Sequence, residues 1–140
     1  MVTPVSILLV DDNHYMRECL QEIITHQEDM QLIGQAVNGE EAILFAEEMQ
    51  PDIILMDVNM SPVNGFEATR SIREKYPAIK IIGLSLHAEP IYRKTMLELG
   101  ASGYIVKSSS YEEIVTGIQK VAGGMQVNSK NPEHYLEGRG

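Results

Sequence analysis

Five β-then-α units in strict alternation predict an α/β domain built on a parallel, doubly wound sheet. Three observations lead there. Short apolar runs of strand length recur at Val5–Val10, 30–37, Ile53–Asp57, 79–84 and Gly103–Val106. The segments between them carry apolar residues at helical spacing. Glycine, asparagine, serine or proline punctuates the joins. Strands separated by helical crossovers pair in parallel, and helices must then cover both faces. Five such units suit an open sheet, not an eight-unit barrel.

Val5–Val10 is a β-rich apolar run that stops at Asp11 and Asp12, as a buried strand does on reaching a sheet edge. From Asn13 the period becomes helical, with Met16, Leu20, Ile23 and Ile24 on one face and Asp12 or Asn13 as N-cap. Residues 30–37 alternate more, as an edge-proximal strand does. Asn38 and Gly39 make the next turn, and Glu40 and Glu41 complement the helix dipole. Ala42, Ile43, Ala46 and Met49 form that helix's inner face, and Pro51 stops it. The third strand ends at Asp57, followed by a loop from 59 to 65. A helix with Phe66, Thr69, Ile72 and Tyr76 toward the sheet ends before Pro77. The fourth strand leads to Ser85, and its helix, 88–99, closes on Gly100 as C′ residue. The fifth strand ends at Lys107. Residues 108–110 supply a cap, and Ile114, Val115, Ile118 and Val121 give the last helix its buried stripe. Gly117 inside that helix costs ~1 kcal/mol relative to alanine. The domain spans 1–124. After Gly123 and Gly124 the composition turns polar, so 125–140 reads as linker or tail.

Composition excludes several classes. The 140 residues are one domain's worth, with 44% hydrophobic and 22% charged residues, the profile of an ordinary globular chain. Eleven Lys and Arg against 20 Asp and Glu give a net charge of −9. Such a chain, without a basic stripe, is repelled by nucleic-acid backbones and anionic membranes. Cys19 is the single cysteine, so no disulfide framework exists, and its expected role is a small buried hydrophobe. The methionines 16, 49, 56 and 96 read as core packing, and Glu47 with Glu48 as a solvated helix face. His14, His26 and His134 lack transition-metal spacing. The N-terminus has no signal-peptide pattern and no apolar run reaches membrane-spanning length, so a cytoplasmic location is expected.

The chemistry gathers at strand ends. Asp11, Asp12, Asp57, Ser85 and Lys107 each follow an apolar run directly. In a parallel sheet these ends share one edge, where ligands bind in such folds. Three neighbouring carboxylates repel one another unless a cation joins them. A hard divalent ion, Mg²⁺ with Mn²⁺ as alternative, answers that need through Asp12, Asp57 and the Asn59 backbone carbonyl, with Asp11 orienting a coordinated water. A carboxylate there can attack a phosphoryl donor to give an aspartyl phosphate. Lys107 then pairs with the new charge, and the Ser85 hydroxyl donates to a phosphoryl oxygen. A salt bridge from Lys107 to Asp57 in the unmodified protein follows from the same geometry.

These residues resemble the receiver domain of two-component response regulators over about residues 4–124. The matching features are Asp11-Asp12, Met56-Asp57 with Gly65 eight residues on, Ser85, and Tyr104-Ile105-Val106-Lys107. The resemblance implies a flavodoxin-like five-stranded sheet in the order 2-1-3-4-5 with five helices. It implies Asp57 as phosphoacceptor, with a histidine kinase or phosphotransfer protein as donor. Ser85 and Tyr104 become switch residues that alter the face made by helix four, strand five and helix five. Asn59 and His87, each two residues beyond a site residue, become tuners of the phosphorylated state's lifetime. Two departures stand out: Ser61, with Pro62 after it, where the family usually has proline, and Ser108 after the lysine.

The start Asp11-Asp12-Asn13-His14 with Arg17-Glu18, and the exit Val121 to Met125, resemble the LuxR/NarL-type transcription regulators. That likeness implies a following DNA-binding domain, absent from this chain, with DNA reached only through it and homodimerisation on activation. A stand-alone receiver working by protein–protein contact is the alternative. An aspartyl-phosphate hydrolase is disfavoured, since such enzymes carry an acid two residues after the nucleophile, where Asn59 stands and cannot deliver a proton. A flavin-binding module of like topology is excluded by the negative charge of Asp11 and Asp12 where a phosphate would dock.

Overall fold

The computed structural model describes residues 3–60, 64–86, 90–124 and 127–128. The strands are β1 (Val5–Val10), β2 (Met30–Ala36), β3 (Ile53–Asp57), β4 (Lys80–Ser85) and β5 (Gly103–Val106). The helices are α1 (His14–Thr25), α2 (Gly39–Met49), α3 (Gly65–Lys75), α4 (Pro90–Glu98) and α5 (Tyr111–Ala122). All strand pairs are parallel, in the order β2-β1-β3-β4-β5. A two-residue strand, β6 (Val127–Asn128), extends this sheet beside Gly103 and Tyr104 of β5. Part of the segment expected as tail therefore continues the sheet. No described helix is long and apolar enough to cross a membrane.

Strand alternation sorts the core into two layers. Leu8, Val10, Ile54, Met56 and Ile81 face α2, α3 and α4, where they meet Ala42, Ala46, Ala68, Ile72 and Met96. Ile7, Leu9, Ile53, Leu55, Ile82 and Ile105 face α1 and α5, against Leu20, Ile24, Ile114, Ile118 and Val121. Gly117 lies on the buried side of α5. Small side chains on α2 and α3 let those helices lie close to the sheet.

Side-chain caps start four of the helices just beyond the strand ends. Asn13, Asn38 and Asn64 accept from the N–H three residues on, and Ser110 forms a capping box with Glu113. Helix N-termini, which favour negative charge, are thereby set at the edge that carries the acids.

Some packing differs from the expectation. Met49, at the end of α2, is 37% exposed, with its thioether over Gly34 at the edge strand β2. Cys19 is only half-buried. Phe66 and Tyr76 are half-buried as well: Phe66 stacks on Tyr92 at 6.3 Å, and Tyr76 donates its hydroxyl to Glu47. Glu47 thus joins α2 to α3. Residues 61–63, with the Ser61 departure, and 87–89, with His87, lie outside the described residues.

Gly65 is dictated by a close approach. A Cβ there would sit 2.6 Å from the Val58 Cα and closer still to the Asp57 carbonyl oxygen. The start of α3 rests directly on the backbone that carries Asp57. Gly65→Ala is expected to lower stability by about 2 kcal/mol or more, through forced backbone displacement. Urea unfolding checks this, and an unchanged midpoint would contradict it.

Candidate functional site

Register decides which side chains meet. Val10 pairs with Met56, so Asp11 and Asp57 come next on adjacent strands. Asp57 pairs with Leu84 and Ser85 with Val106, which sets Ser85 and Lys107 one residue further along their strands. The Lys107 N–H donates to the Ser85 carbonyl at 2.7 Å and extends that ladder to the edge.

The Lys107 ammonium stands 2.8 Å from Asp11 Oδ2 and 3.3 Å from Asp57 Oδ1. All three side chains are buried, with 6%, 0% and 2% of their surface exposed, so this is an ion pair largely withdrawn from water. Asp12 is exposed at the rim. The carboxylate oxygens of Asp11, Asp12 and Asp57 lie within 4.8 Å of one another.

Backbone amides fix the two buried acids. Asp11 Oδ1 accepts the Asn13 N–H at 2.9 Å, and Asp57 Oδ1 accepts the Asn59 N–H at 3.0 Å. Each acid thus closes a tight turn over its own loop. The Asn59 side-chain amide donates to Ser85 Oγ at 3.3 Å, tying the loop after β3 to the end of β4. Ser85 is fully buried.

Tyr104 is also buried, 1% exposed, on the α4 side of the sheet beside Gly83 and Met96. Its ring lies inward. Asp11, Asp12, Asp57, Asn59, Ser85 and Lys107 are therefore assembled at one edge, with Tyr104 deeper along β5. His87 falls outside the described residues.

Burial raises the Asp57 carboxyl to a pKa of about 6, opposed by the Asn59 N–H, reinforced by the Asp11 carboxylate and opposed again by the Lys107 ammonium. Three carboxylates share one ammonium, so the cluster keeps excess negative charge. Asp11 Oδ2 is buried and receives no well-aligned hydrogen bond, although the ammonium is near. An oxygen-only donor set with excess negative charge suits a hard divalent cation such as Mg²⁺ and does not suit a thiolate- or imidazole-seeking metal.

One participant escaped the sequence reading. Arg17, on the first turns of α1, donates from Nη1 to the Asp11 backbone carbonyl at 2.8 Å. Its other amino group lies 3.4 Å from His14 Nδ1. The available signal was a basic side chain one helical turn after the Asn13 cap, which ordinarily reads as solvated.

The response regulator receiver domain family matches residues 7–119. The chain belongs to that family. It is 35% identical to the transcriptional regulatory protein DegU of Brevibacillus brevis over 134 residues, 95% of this chain and 57% of that protein. It is 36% identical to the nitrate/nitrite response regulator protein NarL of Escherichia coli K12 over 129 residues, 91% of this chain and 59% of NarL. A two-component response regulator of the LuxR family from Aurantimonas sp. SI85-9A1 superposes with a TM-score of 0.89 at 30% identity, covering 96% of each chain. The receiver is thus of the LuxR/NarL type. It spans a little under three fifths of the curated relatives it matches. Receiver domains of this family bind Mg²⁺ at an acidic pocket, and Asp11, Asp12 and Asp57 form an acidic cluster here whose oxygens could hold such an ion.

The raised Asp57 pKa has a signed consequence for stability. Below about pH 4 the group is protonated both folded and unfolded. Between the unfolded value of 3.8 and the folded value of about 6, the unfolded chain ionises first, so stability falls as pH rises and then levels off. In EDTA at pH 7, Asp57→Asn is expected to be more stable than the parent by on the order of 1–3 kcal/mol. The gain should shrink as pH falls toward 4. Paired urea titrations at the two pH values test it, and a destabilised variant at pH 7 would overturn it.

Proposed function

We propose that this receiver is a phosphorylation-driven switch in which Asp57 accepts a phosphoryl group from a histidine kinase or phosphotransfer protein. One observation carries the reading: a single ammonium, Lys107, is shared by the buried carboxylates of Asp11 and Asp57 beside the exposed Asp12. A structural salt bridge needs two charges. A buried lysine facing an acidic cluster that remains undercompensated suits a centre awaiting a cation and an anion together.

Asp12, Asp57 and the Asn59 backbone carbonyl would hold Mg²⁺ or Mn²⁺, with Asp11 orienting a coordinated water. The ion supplies positive charge that screens the attacking carboxylate from the donor's phosphoryl oxygens. Asp57 Oδ1 is held by the Asn59 N–H and faces Lys107, which leaves Oδ2 as nucleophile. Oδ2 forms the new O–P bond as the donor's P–N bond breaks. The electron pair returns to the donor nitrogen, which takes up a proton. Lys107 then pairs with a phosphoryl oxygen, and Ser85 Oγ, now held by the Asn59 amide at 3.3 Å, donates to another. In-line attack by water reverses the modification and restores the carboxylate.

Asn59 offers an amide where a hydrolase would need an acid, so loss of the phosphoryl group is slow and the chain is a switch, not a turnover enzyme. Asn59 and His87 set that lifetime by controlling water's approach. The new charge-assisted bonds at Ser85 and Lys107 shift the equilibrium of the α4, β5 and α5 face, with Tyr104 as its buried reporter. Residues 1–124 act as the receiver, and 125–140 lead to a DNA-binding domain. The output is transcriptional, as the names of its transcriptional relatives support, and activation is accompanied by homodimerisation.

Incubation with acetyl phosphate and Mg²⁺ is expected to add one phosphoryl group by intact mass. The adduct should be absent with EDTA and in Asp57→Asn. No adduct in the parent chain, or one that persists in Asp57→Asn, would sink the reading.

A further inference from the structure

We propose that Arg17 is a positioning residue for the acidic pocket: its guanidinium holds the Asp11–Asp12 peptide in the orientation that directs the Asp12 carboxylate toward Asp57. The inference rests on the reading of that cluster as a cation site.

Several hydrogen bonds hold the turn between β1 and α1, with Asn13 fixed as the helix cap. The Asp11 N–H donates to the Ala36 carbonyl at 3.1 Å, and the Asn13 N–H to Asp11 Oδ1 at 2.9 Å. Arg17 Nη1 takes the remaining group, the Asp11 carbonyl oxygen, at 2.8 Å. That carbonyl belongs to the peptide plane leading directly into Asp12. The other bonds act on Asp11 and Asn13, on either side, and none of them is made to the carbonyl of this plane. Asp12, unlike Asp11, is exposed, so packing does little to fix its carboxylate. Its distance to Asp57 depends on the peptide before it.

Arg17 is itself braced. Its Nη2 lies 3.4 Å from His14 Nδ1, and His14 Nε2 lies 2.8 Å from Glu18 Oε1 on the same helix. A planar guanidinium offers donors in fixed directions, so it can hold a carbonyl and brace itself at once.

Charge and geometry predict opposite signs, which makes the inference testable. If Arg17 acted only as a nearby positive charge, removing it would strengthen binding of a divalent cation. If it orients the peptide, removing it weakens binding. Arg17→Met keeps much of the length and apolar stem but donates nothing. Its Mg²⁺ dissociation constant, measured calorimetrically on the unphosphorylated chain, is expected to rise roughly tenfold, the usual effect of losing an outer support of a metal ligand. Arg17→Lys, which keeps the charge and one donor direction, should fall between parent and Arg17→Met. Acetyl-phosphate labelling of both variants should recover at saturating Mg²⁺, because Asp57, Ser85 and Lys107 are untouched.

Unchanged or tighter Mg²⁺ binding by Arg17→Met overturns the inference. So does parent-like affinity in Arg17→Lys should Arg17→Met fail to fold, since a lysine lacks the fork. A parent chain that binds no Mg²⁺ rejects instead the cation-site reading beneath it.

Discussion

Two carboxylates buried against one ammonium dominate the energetics of this edge of the sheet. Asp11, Asp57 and Lys107 come from three different strands, and their near-complete burial removes the water that would otherwise screen them. Burying a charge is tolerated only when it is paired and hydrogen-bonded. Each acid therefore also takes a backbone N–H from its own loop, Asn13 for Asp11 and Asn59 for Asp57. These bonds do not complete the compensation, and the elevated Asp57 pKa records the remainder. The site is held in place by the fold and held in tension by its charge.

The rest of the molecule serves that arrangement. The apolar runs of β1, β3 and β5 drive those strands into the core and deliver the polar residues that end or follow them, Asp11, Asp57 and Lys107, to one rim. Parallel pairing brings the strand ends together. Gly65 lets α3 begin in contact with the Asp57 backbone, and the caps at Asn13, Asn38, Asn64 and Ser110 start helices on the same side. A signalling site built this way draws its precision from the most stable part of the structure, the central strands, and its responsiveness from loops at their ends.

The residues expected as switch elements, Ser85 and Tyr104, are both buried. Tyr104 is packed inward against Gly83 and Met96, and its backbone, with that of Gly103, pairs with β6. Ser85 is held by the Asn59 amide in the unmodified protein. The added β6 pairing extends the sheet beside Gly103 and Tyr104 of β5.

Sequence alone was enough to determine the α/β class, the five units, the strand order through family likeness, and the gathering of Asp11, Asp12, Asp57, Ser85 and Lys107. Apart from the strand order, which only the family likeness implied, those features follow from local periodicity and from the rule that parallel strands share an edge, and neither depends on side-chain detail. The tertiary structure decided what depends on contacts between distant residues. Met49 reads as core by spacing, yet is 37% exposed at the end of α2, with its thioether over Gly34 at the edge strand β2. Cys19 has the composition of a buried residue, and its place on α1 keeps it only partly covered. Arg17 has no distinctive spacing, and only the folded turn shows its guanidinium on the Asp11 carbonyl. Tyr104's burial depended on the space left by Gly83. Periodicity reports which face of an element a residue occupies; how deeply it is covered, and which polar atom it meets, is set by its neighbours in space.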